Sequence, residues 1–447
     1  MTTTFPRSSP SALGIDARGV SAFLDALEST PDVEPHSFLL LRHGQVAAEG
    51  TWDPYRADSV HLLYSLSKSF TAAGVGIAVR AGLIDLDATV LSYFPELDAE
   101  VTDERSRRIL VRHVLAMASG HREETLERAR AIDPTDIVRG FLLLPPDEEP
   151  GSVFAYNQPC TYTLAEIVRR VSGGSLVDWL RPRLLDPLGI TDFAWKRDEQ
   201  GNELGFSGCY APVEAVAKLG QLYLQRGVWD GQRILDEDWV DAAMRVQVEN
   251  PQEENPDWSQ GYGFQFWMAR HGFRGDGAYG QFCVVLPEQD VVLALTGQSL
   301  DMQAVLDAAW KHLLPAVDGA SVDAGADTGL EARIASLALP PVAGERLPDA
   351  AAHGPLHRDG AAWRLELDVE GGHLSVPVGE GAWAVEGPLA GSAALVDDGA
   401  AVLVTVRFVE TPHAAHVRIA TDSGDATFDW VTQPLHDGPT TLRRPAA

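Results

Sequence analysis

Residues 62–82, LLYSLSKSFTAAGVGIAVRAG, decide the fold and also contain the residue pair that first suggests chemistry. From Ser65 onward the stretch has no proline and many small apolar side chains, which predicts a helix packed closely in the protein interior and ending at Gly82. Ser65 and Lys68 lie three residues apart, so they share one face of that helix. The sequence therefore predicts a serine and a lysine side by side where a buried helix begins.

A serine and a lysine in this arrangement are suited to acyl chemistry. The free N–H groups and the positive dipole end at a helix N-terminus stabilise an oxyanion that forms beside Ser65. Burial and the same dipole disfavour the charged form of Lys68, which can then act as a general base. The spacing is equally compatible with an exposed serine at a helix start and an unrelated surface lysine, so both interpretations stay open at this point.

The flanking sequence predicts one antiparallel sheet that is assembled from both ends of a domain. An N-terminal helix leads into residues 37–52, two β-rich runs joined as a hairpin. Residues 261–295 read as strands with turns at RGDG (274–277) and PEQD (287–290), and residues 302–314 supply a closing helix. The segments between these two ends read mainly as helices, so the domain is predicted to be α+β.

A second domain is predicted after the closing helix. The stretch PAVDGASVDAGADTG (315–329) is small, acidic and without apolar periodicity, which is typical of a linker. After a short helix, LEARIASLA, apolar and polar residues alternate, as in Trp363, Leu365 and Leu367, and this indicates a small all-β barrel or sandwich. The predicted parts are a first domain over 1–315, an acidic linker and short helix over 316–335, and a C-terminal β domain over 336–447.

The charge and the cysteine content of the chain limit which binding partners and which cellular compartment are expected. The chain has 35 Lys and Arg against 64 Asp and Glu, a formal net charge of −29, which repels nucleic acid and anionic membrane surfaces. Cys160, Cys209 and Cys283 are too few and too far apart for a disulfide framework and are expected to be buried. With neither a signal peptide nor a long apolar run, we expect a cytoplasmic protein. The motif scan also predicts no metal and no cofactor.

Residues 62–96, together with ILVRHVLAMASGH (109–121), closely resemble the first-motif region of the serine β-lactamase-like hydrolases. That family includes class C β-lactamases, DD-peptidases, D-aminopeptidases and related esterases. The resemblance implies a β-lactamase-like antiparallel sheet flanked by helices with a helical subdomain. It also implies that Ser65 is the acylated nucleophile and that Lys68 is its base. It covers roughly residues 10–315.

The second family motif, Tyr-x-Asn, is matched in part by PGSVFAYNQPCTYTLAEIVRRVSG (150–173). Tyr156 matches the tyrosine, and the resemblance implies that it relays a proton to the leaving group. The third position of the motif is Gln158, whose longer amide would bind a substrate carbonyl with altered geometry. Asn157 is the adjacent alternative for that contact.

This sequence departs further from the third family motif, which is Lys-Thr-Gly or His-x-Gly on a strand. In GFRGDGAYGQFCVVLPEQDVVLALTG (272–297), Asp276 lies near the usual position of the cation. An aspartate there would repel a substrate carboxylate, so neutral or cationic esters and amides are favoured. His271 or Arg274 is an upstream candidate to replace the lost cation.

Two further features bear on the substrate site. Gly280-Gln281 resembles the Gly-Gln of esterase-like relatives, which implies that a backbone N–H of this pair, that of Gln281, is the second oxyanion donor. Four aromatic residues precede the third motif and either line an acyl pocket or belong to the core: Trp258, Tyr262, Phe264 and Trp267.

The leading hypothesis is a serine hydrolase that cleaves a small-molecule or peptide ester or amide through an acyl-enzyme on Ser65. An acyltransferase or peptide-cyclising thioesterase would pass the same acyl group to an amine or alcohol instead of water. A third hypothesis is a non-catalytic binding protein, which has no need of Ser65, Lys68 and Tyr156 together. The sequence does not predict the oligomeric state.

Overall fold

The computed structural model of the protein describes residues 4–317, 319, 322–347, 354–360 and 362–445. The helices are α1 (Ala17–Ser29), α2 (Ser67–Arg80), α3 (Glu104–Arg107), α4 (Val111–Leu115), α5 (Leu126–Ile132), α6 (Ile137–Leu143), α7 (Gln158–Ser172), α8 (Leu176–Leu180), α9 (Val213–Leu224), α10 (Glu237–Ala243), α11 (Met302–Ala308) and α12 (Ala326–Ile334). The strands before residue 300 are β1 (Pro35–Arg42), β2 (Gln45–Thr51), β3 (His61–Leu62), β4 (Ala194–Trp195), β5 (Cys209–Ala211), β6 (Val228–Trp229), β7 (Gln232–Arg233), β8 (Trp267–Met268), β9 (Phe273–Gly277), β10 (Gln281–Leu286) and β11 (Val291–Gly297). Those after it are β12 (Leu356–Asp359), β13 (Ala362–Val369), β14 (Gly372–Glu380), β15 (Ala384–Glu386), β16 (Leu389–Val396), β17 (Ala401–Phe408), β18 (His413–Ala420) and β19 (Ala426–Trp430).

The main sheet combines strands from residues 35–51 with strands from residues 267–297, as the sequence predicts. Its order is β2-β1-β11-β10-β9-β8, and every pairing is antiparallel. Side chains alternate between two cores across this sheet: Leu39 and Leu41 pack with α2 and α9, while Phe38 and Leu40 pack with α1. Helices on both faces explain why β1 and β11 are buried along their whole length. The predicted α+β fold is confirmed.

Helix α2 crosses the interior between this sheet and the helices α7 and α8. Every residue from Ser67 to Ala78 is buried, which accounts for the small side chains. At Gly76, a Cβ atom would lie 2.5 Å from the Trp239 indole, so a larger residue does not fit. The α-helix begins two residues later than predicted, because Tyr64–Leu66 form a 3-10 turn that precedes it.

Two details of the predicted strands are wrong. Residues 274–277 were expected to form a turn but belong to strand β9, and the reversal occurs at residues 278–280. Gly277 is needed for a close approach rather than for a turn, since a Cβ there would lie 2.0 Å from the Leu63 carbonyl oxygen. Only Trp267–Met268 of the predicted 262–270 strand is extended in the sheet, because Gln265 has a φ of 61° and its side chain binds the Leu115 carbonyl.

The C-terminal part is a curled sheet with the order β12-β13-β14-β16-β17-β18-β19, and β15 pairs with β16. Its core contains the alternating residues that the sequence indicated, among them Trp363, Leu365 and Val404. Helix α12 begins and ends four residues before the predicted LEARIASLA helix, because the backbone after Ile334 turns to pair with Asp53. None of the described helices combines the length and the apolar character needed to cross a membrane.

Candidate active site

Ser65 and Lys68 meet at the N-terminal end of α2. Lys68 Nζ lies 3.0 Å from Ser65 Oγ and donates a second hydrogen bond, 2.9 Å long, to the Phe206 carbonyl oxygen. Only 1% of Lys68 is exposed, whereas Ser65 is half-buried and opens onto a cleft. The lysine is therefore fixed on the protein side of the serine hydroxyl, and the other side is left for a substrate.

Burial makes Lys68 a base at neutral pH. Loss of hydration lowers its pKa to about 7, although the negative charges of Asp276 and Glu124 act in the opposite direction. A lysine with this pKa is uncharged in a large fraction of molecules near pH 7, and its amine can then accept a proton from Ser65.

Tyr156 lines the same cleft as Ser65. Its ring stacks on Trp267 with centroids 5.2 Å apart, and Lys68 Nζ lies 4.6 Å from its ring centroid. Burial raises the pKa of Tyr156, and the hydrogen bond to Ser65 only partly offsets this effect. Tyr156 therefore remains a protonated phenol that can hand a proton on, but it is a poor candidate for the primary base.

The cleft above Ser65 has a volume of about 720 Å³. Trp258 and Trp267 line it, whereas Tyr262 and Phe264 are buried in the core, so the four aromatic residues divide between the two interpretations. The remaining walls come from two loops and from the start of helix α11 with the residues before it: Asp32, Glu253, Asn255, Leu300, Asp301, Met302 and Gln303. A hollow of similar size near Phe5 and Trp229 contains none of the residues described above.

Asp276 also lines the cleft, but it does not face the substrate as an uncompensated charge. Its Oδ2 accepts a 3.1 Å hydrogen bond from Arg274 Nε, and both side chains are buried. Burial raises the pKa of Asp276, while the Arg274 charge opposes this shift. Arg274 is held further by the Asp257 carbonyl oxygen at 2.6 Å and lies against Trp258. The positive charge of Arg274 is therefore neutralised within the protein by Asp276.

His271 offers no substitute cation at this site either. Its ring packs edge-on against Trp310, with the ring centroids 5.1 Å apart, and it does not line the cleft. Neither of the two candidate replacements is therefore placed to bind a substrate carboxylate.

The turn after β9 supplies a backbone donor beside Ser65. Ala278 lines the cleft, whereas Gly280 and Gln281 do not. The Gln281 side chain points into the turn and donates to the carbonyl oxygens of Ala278 at 3.1 Å and Gly297 at 2.8 Å. Within the described residues, the N–H groups of Ser65 and Ala278 donate to no protein acceptor. Ala278, rather than Gln281, is therefore the better candidate for the second oxyanion donor.

Asn157 and Gln158 lie beside the cleft rather than in its lining. Asn157 is fully buried, and its Oδ1 accepts hydrogen bonds from the Thr125 N–H at 3.0 Å and the Thr125 hydroxyl at 2.9 Å. Gln158 begins α7, and its Oε1 is buried without a hydrogen-bond partner in the described structure. Asn157 thus holds the Tyr156 loop in place, and neither amide contacts the space above Ser65.

Little in the sequence indicates which groups surround Ser65, Lys68 and Tyr156. The Phe206 carbonyl, which fixes Lys68, lies between Gly205 with a φ of 68° and Gly208 with a φ of 85°. Left-handed glycines on both sides of a residue are a sequence signal for a backbone that turns toward a site. The carboxylates of Asp32, Glu253 and Asp301 carry no such signal, because they come from three separate loops.

Comparison with known proteins places this site in a recognised family. The sequence model of the Beta-lactamase family matches residues 32–316. The 6-aminohexanoate-dimer hydrolase of Paenarthrobacter ureafaciens is 28% identical over 305 residues, which cover 60% of this chain and 76% of that protein. Esterase EstB of Burkholderia gladioli is 27% identical over 210 residues, which cover 41% of this chain and 53% of the esterase.

A solved structure extends the likeness beyond the family match. The octameric penicillin-binding protein homologue from Pyrococcus abyssi aligns with a TM-score of 0.51 at 16% identity. The alignment covers 89% of this chain and 97% of that one, so it includes much of the C-terminal sheet as well as the first domain. At this identity the likeness concerns the fold alone.

Proposed function

This chain belongs to the Beta-lactamase family and is a serine hydrolase, and we propose that it cleaves esters or amides through an acyl-enzyme on Ser65. The observation that carries the proposal is the 3.0 Å contact between Ser65 Oγ and Lys68 Nζ, an amine whose pKa burial lowers to about 7. A serine hydroxyl is a weak nucleophile on its own and needs an adjacent base of this kind.

Acylation uses the three side chains in sequence. Lys68 Nζ takes the proton of Ser65 Oγ as that oxygen bonds to the substrate carbonyl carbon, and the carbonyl oxygen becomes negatively charged. The N–H groups of Ser65 and Ala278 stabilise this charge. When the bond to the leaving group breaks, Tyr156 gives its proton to the departing oxygen or nitrogen and regains one from protonated Lys68.

Deacylation follows the same route in reverse. A water molecule attacks the ester carbonyl of the acyl-enzyme, and its proton passes to Lys68 through Tyr156. The tetrahedral intermediate then expels Ser65 Oγ, which takes a proton back, and the carboxylic acid is released. Each step uses only groups that lie within the described site.

We further propose that the substrates are neutral or cationic. Asp32, Glu253 and Asp301 border the cleft, and within the described residues none of them forms an ion pair. Arg274 is neutralised by Asp276, and Lys68, whose pKa burial lowers to about 7, is only partly charged near pH 7 and is bound to Ser65 and the Phe206 carbonyl oxygen. A substrate carboxylate would therefore meet repulsion in the cleft without a compensating cation.

The proposal is tested by intact-mass analysis after incubation with a fluorophosphonate probe. One adduct per chain is expected, and peptide mapping is expected to locate it on Ser65, because this hydroxyl is activated by Lys68. The Ser65→Ala variant serves as the control and is expected to stay unmodified. An unmodified wild-type protein, or an adduct on another residue, would contradict the proposal.

Replacement of the buried carboxylate tests the substrate charge. In Asp276→Asn the Arg274 guanidinium loses its ion-pair partner. We therefore expect kcat/KM to rise for substrates that carry a carboxylate. The ratio of kcat/KM for the p-nitrophenyl monoester of succinic acid to that for p-nitrophenyl butyrate should rise about tenfold.

Asp301→Asn is the matched control for this prediction. It removes the same charge from the cleft border but frees no arginine, and asparagine keeps the N-cap contact to Ala304. The substrate ratio should change by less than about threefold in this variant. Equal ratios in Asp276→Asn and in the control would rule out a neutralising role of the Arg274–Asp276 pair.

A further inference from the structure

Three aromatic rings, of which Tyr64 and His413 are buried and Tyr279 is partly buried, join the C-terminal sheet to the edge of the active site. Tyr64, Tyr279 and His413 contact one another edge to face, with ring centroids 5.1 to 5.8 Å apart. Tyr64 directly precedes Ser65, and Tyr279 directly follows Ala278. His413 begins strand β18 of the C-terminal sheet. Each oxyanion donor proposed above therefore has a tyrosine neighbour that touches the second domain.

The hydrogen-bond partners of these three residues show which group donates and which accepts in each contact. His413 Nδ1 lies 2.9 Å from the Thr432 carbonyl oxygen, which can only accept, so this nitrogen carries the proton. Burial lowers the pKa of His413 to about 4, and the neutral ring then has a free acceptor at Nε2. Tyr64 Oη lies 2.6 Å from that nitrogen and must donate to it. Tyr279 Oη donates to the Gln433 carbonyl oxygen at 2.5 Å.

Both tyrosines have a backbone conformation that side-chain-bearing residues rarely adopt. The φ angle is 46° at Tyr64 and 67° at Tyr279, in the left-handed region. A residue other than glycine, asparagine or aspartate stays there only where the surrounding structure holds it. The hydroxyl groups of these two side chains are held by His413 of strand β18 and by Gln433 in the segment that follows β19.

We propose that the C-terminal part of the chain, strand β18 together with the segment that follows β19, is a positioning element of the active site, which sets the backbone on both sides of the oxyanion hole through the Tyr64–His413 and Tyr279–Gln433 hydrogen bonds. The Tyr64 conformation orients the Ser65 hydroxyl and N–H, and the Tyr279 conformation orients the Ala278 N–H. His413 and Tyr64 do not touch the substrate and act through their neighbours. This inference rests on the proposed role of Ser65.

The test compares kcat and KM for p-nitrophenyl butyrate in Tyr64→Phe, His413→Leu and the double variant. Each single change removes one partner of the hydrogen bond and is expected to lower kcat about tenfold, with KM changed by less than about twofold. Both changes break the same contact. The kcat of the double variant should therefore lie within about twofold of the kcat of the slower single variant. His413→Gln, whose amide oxygen can accept at the position of Nε2, should recover most of the lost kcat.

Arg444→Ala is the matched control, because it removes ion pairs of the C-terminal part with Asp192 and Glu410 that involve neither Tyr64 nor Tyr279. Its kcat should equal that of the wild type, and thermal unfolding midpoints identify any variant that has lost its fold. Should His413→Leu unfold, Tyr64→Phe, which keeps the buried ring, decides the question alone. An unchanged kcat in Tyr64→Phe overturns the inference if Ser65→Ala is inactive, whereas an active Ser65→Ala overturns the proposed function itself.

Discussion

We expect the Ser65→Ala variant to lose kcat/KM for p-nitrophenyl butyrate by at least about 1000-fold, because no acyl-enzyme can form without the Ser65 oxygen. Lys68, Tyr156 and the two backbone donors would remain, so the residual rate reports what the site contributes by binding and oxyanion stabilisation alone. Initial rates of p-nitrophenolate release over a range of substrate concentrations measure the effect.

Ser69→Ala is a closely matched control for this prediction. Ser69 lies four residues further along α2, is buried, and donates to the Gln265 carbonyl oxygen at 3.0 Å. Loss of that hydrogen bond should affect stability more than catalysis, and kcat/KM should stay within about threefold of the wild type. Turnover in Ser65→Ala close to that of Ser69→Ala would show that another residue is the nucleophile.

Long periodic elements were predictable because burial decides their sequence. The strands β1 and β11 are buried throughout and mostly apolar because helices cover both faces of the sheet. Helix α2 is rich in small side chains because it crosses the interior, where it lies against Trp239. These constraints act on many residues at once, so a single sequence contains enough of the pattern to identify them.

The segment 274–277 was misread because glycine has two uses that look alike in a sequence. Gly277 permits a close approach of strand β9 to the Leu63 carbonyl, whereas a glycine in a turn supplies a positive φ. The real reversal contains Tyr279 with a φ of 67°, a residue whose type gives no indication of a left-handed backbone. That conformation depends on contacts with residues more than 100 positions away, which local sequence cannot reveal.

Because a turn was predicted at 274–277, the sequence did not predict the Arg274–Asp276 ion pair of the candidate site. Residues two apart on a strand share a face, so Arg274 and Asp276 on β9 would have been predicted to pair. A predicted turn places no such constraint on the two side chains, and Asp276 was therefore interpreted as an isolated negative charge. The observed 3.1 Å contact with Arg274 neutralises Asp276. The uncompensated negative charges of the cleft are therefore those of Asp32, Glu253 and Asp301 at its border.

The Lys68→Met variant is expected to lower kcat/KM by about 1000-fold, because it keeps the length of the side chain but removes the proton acceptor. In the wild type, kcat/KM should rise between about pH 6 and pH 8, since Lys68, whose pKa burial lowers to about 7, accepts the Ser65 proton only in its uncharged form. The methionine variant should lack this rise. Rates measured across this range in buffers of constant ionic strength test both statements.

Lys218→Met provides the control, because Lys218 is also buried but lies on α9, where it donates to the Gly189 carbonyl oxygen and pairs with Glu214. Its loss removes a buried charge far from the cleft, so the pH profile and kcat/KM should stay within about twofold of the wild type even where the unfolding temperature falls. A wild-type rate that does not change between pH 6 and pH 8 would contradict Lys68 as the base. So would a Lys68→Met rate close to that of Lys218→Met, because both results require the Ser65 proton to pass to another group.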